Sequence, residues 1–191
     1  MNEKTRLVTP PAEEPLTVAQ FRAQSRLDVI PEEDNHLLSI ISTARQVAEN
    51  TTWLALAPAT YETFLDGFPG GAITLDPSPV QSVTSVTYTD KEGNSQTLDP
   101  SSYQVDLVGY PARILPLNGW PETIEDRVNT VRVLYVSGYA PGDVPPQIRH
   151  AIAMLCDHFY QFRGELAPPG GVQEIPMAAK ALLHQVNMRR F

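Results

Sequence analysis

In "PPQIRHAIAMLCDHFYQFRG", His150, Met154 and His158 lie four residues apart, so on a helix they share one face. Two imidazoles and a thioether on one face are the start of a soft-metal site. Such a site needs three or four strong ligands, and no third one lies near in sequence. The plainer reading is a helix face that meets protein or solvent. Cys156, Asp157 and His158 carry the residue types of nucleophilic catalysis. Adjacent helical residues point about 100° apart, so these three cannot form a hydrogen-bonded triad among themselves. Cys156 reads as a small buried residue.

Asp90, Glu92 and Asp106 suggest Ca²⁺ ligands, but "DKEGN" lacks the spaced oxygens of an EF-hand loop. The plainer reading is a set of solvated turn acids. Phe68, Trp120 and Tyr139 could line a ligand groove, or they could cover a small core or a subunit contact. There is no Gly-rich phosphate loop followed by Lys-Ser/Thr, no HExxH and no cysteine pair. No cofactor is expected.

Two kinds of element must position these residues. Thr17 is a plausible N-cap for a short helix with Val18, Phe21 and Leu27 inward. Pro31, Glu32, Glu33 and Asp34 open a longer helix. Its apolar stripe is Leu37, Leu38, Ile41, Ala44, Val47 and Ala48, and it fades near Asn50–Thr52. From Trp53 to Tyr139 the period changes to two. "TYETFLD", "VQSVTSVTYTD", "SQTL", "SYQVD" and "ARIL" read as strands, with "KEGN" a hairpin turn. "DGFPGG" is a turn. "NTVRVLYVSGY" is apolar on both faces and reads as the central strand. Pro145 and Pro146 open another long helix, with Ile148, Ala151, Ile152, Leu155 and Phe159 inward and Gly164 at its end. Pro176 begins a last helix, with Met177, Ala181, Leu182 and Val186 inward. The expected fold is α+β, a small helical bundle with a central β-rich insertion. Residues 1–15 form an extended arm, 16–52 and 141–191 the bundle, and 53–140 the insertion.

The 191 residues carry a formal net charge of -8. That argues against a protein that grips nucleic acid by neutralising phosphates. The charge is uneven: residues 53–140 hold ten acids and four bases, and residues 141–191 hold four acids and five bases. The charged, proline-rich start does not resemble a signal peptide, and no apolar run approaches the roughly 20 residues that cross a bilayer. A single cysteine excludes an internal disulfide and fits synthesis in a reducing compartment.

The order of segments carries more information than any one of them. "LT…FR…LD" is followed by "EEDNHLLSIISTARQVAEN". Then come "FPGGAITLDPSPVQSVTSVTYTD", "VNTVRVLYVSGY" and "VPPQIRHAIAMLCDHFYQFRG". Over roughly residues 16–183 the chain resembles the head–tail connector, or adaptor, family of long-tailed bacteriophages and gene transfer agents. The resemblance implies a structural protein with no enzyme activity. It implies a homo-oligomeric ring, usually twelvefold in the virion, below the portal protein. That ring extends the channel for double-stranded DNA, which passes without specific binding, and offers a surface to a neck, stopper or tail terminator protein. It places the chain in the virion neck, made in the bacterial host cytoplasm, with no membrane partner.

In related connectors the C-terminal segment docks on the portal. Carried onto "NMRRF", this gives Met188 and Phe191 as apolar anchors and Arg189 and Arg190 as partners for acids. The alternative is a frayed tail. The end of the last helix, "LLHQVNMRRF", departs from the family pattern, and residues 1–15 have no family counterpart. Asp90, Glu92, Asp99 and Asp106 are candidate channel or ring-surface acids, and the expected lumen is acidic or neutral. Two other readings compete: a small intracellular enzyme or ligand-binding protein with its site among Tyr88, Tyr103, Trp120 and Tyr139, or a tail-side completion protein of the same neck.

Overall fold

The structure is a computed structural model that describes residues 4–125, 127–140, 142–162 and 175–186. The fold is α+β and divides into two units. One comprises residues 1–12 and 57–139, the other residues 13–56 and 140–191.

The first unit is built from strands: β1 (Lys4–Thr9), β2 (Ala59–Leu65), β3 (Ile73–Leu75), β4 (Val80–Thr89), β5 (Ser95–Thr97), β6 (Tyr103–Asp106), β7 (Ala112–Pro116) and β8 (Val131–Ser137). They form two sheets, ordered β1-β2-β8-β4-β5 and β3-β7-β6, and every pairing is antiparallel. The doubly apolar strand β8 is central in the larger sheet, as its sequence predicts. Its Val131, Val133 and Tyr135 join Leu65, Val86, Ile73, Leu75 and Ile114 in one core. Alternation works because successive strand residues face opposite sides. It fails in β4, where bulges between Val80 and Ser82 and between Val83 and Ser85 shift the register. The predicted "KEGN" turn joins β4 to β5, with Gly93 at a φ of 86°.

The arm, read from sequence as a separate extended segment, supplies β1. It pairs with β2 as an edge strand of the larger sheet, and all six of its residues are exposed. Proline content gave no hint of this, because the pairing partner lies about fifty to sixty residues downstream. The chain thus starts in the β unit, crosses to the helical unit, returns and crosses again.

The helical unit contains α1 (Val18–Ser25), α2 (Asp34–Thr52), α3 (Pro146–Gln161) and α4 (Met177–Gln185), with a 3₁₀ turn at Pro31–Glu33. Thr17 caps α1 through a full capping box. Its hydroxyl accepts from the Gln20 amide at 3.2 Å, and the Gln20 side chain accepts from the Thr17 amide at 3.0 Å. Trp53, in the left-handed region at φ 62°, ends α2. Gly164, the expected end of α3, lies outside the described residues.

Two helix faces differ from expectation. In α2, Leu38 is 45% exposed, and Ile40 takes the inward place beside Leu37, Ile41, Ala44 and Ala48. The buried spacing of three and four residues leaves Leu38 off the stripe. In α4, Ala179 and Leu183 are buried, while Met177 is 83% exposed and Ala181 faces outward. Six of the nine residues of this helix, "MAAKALLHQ", are apolar and spread around it, so periodicity selects no face there. Packing against α2 and α3 selects it instead.

Ile41, Ala44, Ile152 and Leu155 are fully buried where α2 meets α3. Phe159 is half-buried. We expect Leu155→Ala to destabilise the protein by about 2–5 kcal/mol, since a close-packed core relaxes only partly around a lost side chain. Urea unfolding of the variant checks this, and a loss below about 1 kcal/mol would mean that the site collapses easily.

Candidate assembly surfaces

The β unit carries a buried charge. Strand register places Arg6 of β1 and Leu134 of β8 on either side of Glu62 of β2. Lys4, Phe64 and Arg132 form the next row on the same face. The Glu62 side chain is 0% exposed, whereas those of Arg6 and Arg132 are 67% and 52% exposed. Arg6 donates to Oε2 of Glu62 at 2.6 Å. Arg132 Nε meets Oε1 as an ion pair, although Oε1 makes no well-aligned hydrogen bond. Arg6 also lies over the Phe64 ring, 5.4 Å from its centroid. Two arginines thus roof one carboxylate and present their outer edges to solvent.

The helical unit has a comparable device. Arg45, 7% exposed, donates to Glu14 at 2.7 Å and to Glu49 at 2.6 Å. Glu49 also accepts from the Leu56 amide at 2.9 Å. Burial raises the Glu49 carboxyl above its ordinary value, against the pull of that amide and of Arg45. A second buried arginine, Arg22, lies in the last turn of α1, where it pairs with Asp34 at 2.8 Å and donates to the Ile30 carbonyl. It braces the loop between α1 and α2. None of these arginines was distinguishable in the sequence. The one usable signal was a lone glutamate on the non-core face of a strand whose neighbours carry Arg.

The candidate acids occupy turns or, for Asp106, the end of a strand, and three of the four are already engaged. Asp90 accepts from the Asn94 amide and the Gln96 side chain, both at 2.8 Å. Asp99 accepts from the amide and hydroxyl of Ser101, both at 2.8 Å. Asp106 accepts from the Val108 and Gly109 amides and pairs with Arg113 at 2.6 Å. These bonds hold all three carboxyls below their ordinary range, led by Gln96, the Ser101 amide and Arg113 respectively. Glu92 is exposed beside Asp90 in the same turn. Portal-docking candidates Met188, Arg189, Arg190 and Phe191 lie outside the described residues.

The aromatic residues behave as packing. Phe68 stacks on Trp120 at 4.7 Å and tilts against Tyr88 at 5.6 Å. Trp120 donates to the Gly71 carbonyl at 2.7 Å, which ties the "FPGG" turn to the core edge. Tyr103 is buried. Tyr139 is half-buried and is not part of this cluster.

Nor do the chemistry-bearing residues of α3 converge. Cys156 is buried, and burial pushes its thiol up to about 12. Asp157 accepts from the Ser25 hydroxyl of α1. His158 turns instead to Phe159 and Phe162, with ring centroids 5.8 and 5.0 Å away. Among the described residues, no three His, Cys, Asp or Glu side chains gather as a metal site. No helix among them is long and apolar enough to cross a membrane. A groove of about 650 Å³ runs between α2 and α4, lined by Val47, Thr51, Met177, Lys180, Leu183 and His184 among others.

No family model matches the sequence, and no curated protein does. Solved structures do match. The neck of an empty gene transfer agent particle, computed with C6 symmetry, contains a chain with a TM-score of 0.77 and 23% identity. The alignment covers 96% of this chain and 95% of that one. A chain in the virion of a native gene transfer agent particle also aligns at TM-score 0.77 and 23% identity, over 96% and 94% of the two chains. The neck of the native particle, computed with C12 symmetry, gives 0.74 and 22% over the same shares. Over 96% of its length, the chain has the fold of a component of gene transfer agent necks.

Proposed function

We propose that this chain is a structural neck protein, a head–tail connector subunit that assembles into a ring below the portal. The observation that carries the reading is the near-complete alignment with a neck component, at a TM-score of 0.77 over 96% of this chain. Two further points support it. The segment order read from sequence resembles that of the connector family. The nucleophile candidate Cys156 is buried, and the groove candidates Phe68 and Trp120 are stacked on each other. The sixfold and twelvefold symmetry of the related necks supports a ring of copies. In this reading the ring extends the DNA channel, and its far side receives a stopper or tail terminator protein. Double-stranded DNA passes through without specific binding. Asp90, Glu92 and Asp99 are the candidate wall acids. Asp106 contributes less, because Arg113 neutralises it. An acidic wall repels the duplex over about 8 Å at physiological salt and keeps it centred.

Electron microscopy of the purified chain mixed with its portal tests the proposal. The expected images show rings stacked on the narrow end of the portal. Deleting residues 187–191 is expected to abolish stacking while leaving the circular dichroism melt unchanged, since Met188, Arg189, Arg190 and Phe191 are the proposed docking residues. Full-length chain that never decorates the portal would overturn the connector assignment. Stacking by the truncated chain would move the docking surface elsewhere. A lumen lined mainly by Lys and Arg in those rings would overturn the account of DNA passage.

A further inference from the structure

We propose that the outer face of the five-stranded sheet binds the Asp28–Glu32 loop of a second copy of this chain. The proposal rests on the ring reading and names the two surfaces that make the lateral contact. On the sheet, Lys4 and Arg132 flank Phe64 in one row, and Arg6 lies across Glu62 from Leu134 in the next. Three cations face one carboxylate, and that carboxylate is wholly covered. The visible charge of this face is therefore positive, on a chain of net charge -8. Half-buried Phe64 and Leu134 leave apolar ground between the cations.

The loop is the complement. Val29 is 82% exposed and Ile30 43% exposed, with exposed Asp28 and Glu32 on either side. Arg26 and Glu33 stand at its ends, so acids outnumber bases across it. Val29 and Ile30 thus form an apolar tip that a braced loop holds in water. The brace is Arg22, bonded to the Ile30 carbonyl and to Asp34, with the Leu27 amide donating to the Arg22 carbonyl at 3.0 Å. A loop fixed in this way loses little conformational freedom on docking. An apolar tip between acids fits an apolar floor between cations. The apolar floor favours a protein partner over a phosphate backbone. Because the two surfaces are different, the contact is heterologous and propagates from copy to copy until a ring closes.

Two charge variants test this. Lys4→Glu with Thr97→Glu alters the sheet row without touching the partners of Glu62, since Thr97 is exposed and lies in the Lys4–Phe64–Arg132–Thr87 row. Asp28→Lys with Glu32→Lys reverses the loop. Sedimentation velocity over a concentration series reads the self-association of each full-length chain. Each variant alone is expected to associate about tenfold to a hundredfold more weakly than wild type, because like charges then meet at the contact. An equal mixture of the two should recover association, because the acidic loop of one meets the basic sheet of the other. Val29→Asp should weaken association with an unchanged melt, which provides a readout independent of the sheet. Wild-type association by either charge variant overturns the proposal, and so does a wild-type chain that stays monomeric throughout. Weakened variants that fail to recover on mixing also overturn it. Portal-bound rings formed by both variants would keep the connector reading and remove only this contact.

Discussion

Gly138→Ala is expected to cost about 4 kcal/mol or more, a large fraction of the roughly 5–15 kcal/mol by which an ordinary domain is stable. Gly138 has a φ of 125°, a conformation that L side chains rarely adopt. A Cβ there would sit 2.1 Å from the Ala57 carbonyl oxygen, 2.4 Å from its carbon and 2.8 Å from the Pro58 nitrogen. All three are backbone atoms, so no side chain can swing away. Nor can the glycine retreat easily. Its amide donates to the Pro79 carbonyl at 2.8 Å, and its own carbonyl accepts from Gln81 at 2.6 Å. Ser137 beside it donates to the Pro79 carbonyl at 2.7 Å. The segment "VSGY" is therefore fixed on both sides where β8 ends. Gly119→Ala is the matched control. Gly119 also has a positive φ, 85°, but a Cβ there meets nothing within 4 Å. It should cost only about 1 kcal/mol, the backbone term alone. Urea unfolding of both variants separates the steric cost from the conformational one. Equal losses in the two would mean that the backbone at Ala57 yields.

This glycine also shows what sequence could and could not supply. "VSGY" stood out as part of a family-like order, but the reason for the glycine is a backbone approach from Ala57, some eighty residues away. Most elements other than β1 and the three-residue β3 were legible because their signals are local. Pro145 and Pro146 mark the start of α3, Thr17 and Gln20 form the capping box, and Gly93 allows the β4–β5 turn. The central place of β8 followed from its two apolar faces. Pairing of β1 with β2 was not legible, since a polar strand carries no mark of its partner. In α4, Ala at three of the first five positions blurred the inward face. The candidate acids were found as turn residues, yet sequence could not show that Asp106 is paired with Arg113. The Glu62 cluster escaped notice for the same reason as β1. Its three members come from three strands, and only the register brings them together.

Removing both arginines from that cluster is expected to cost more than removing the glutamate. In Arg6→Met/Arg132→Met the Glu62 carboxylate, 0% exposed, would remain without a cation. Leaving a buried charge unpaired costs about 3–5 kcal/mol. In Glu62→Gln the situation reverses. Both arginines are more than half exposed, 67% and 52%, so water takes over their charge. The expected loss is then about 1 kcal/mol, the scale of an exposed pair. Adding Glu62→Leu to the double arginine variant should recover most of the loss, because it removes the stranded carboxylate. The consequences extend to β1. That strand is exposed along its whole length. Beyond its backbone ladder it is held by the Arg6–Glu62 bond, the contact of Arg6 with Phe64 and the Thr5–Thr63 hydroxyl pair at 2.9 Å. Amide hydrogen exchange in β1 should therefore accelerate in the double arginine variant before the rest of the sheet is affected. Urea unfolding of the three variants together with the exchange data decides the matter. A double arginine variant no less stable than Glu62→Gln would show that Glu62 draws no stabilisation from its roof. Unchanged exchange in β1 would show that the edge hydrogen bonds alone hold the arm to the sheet.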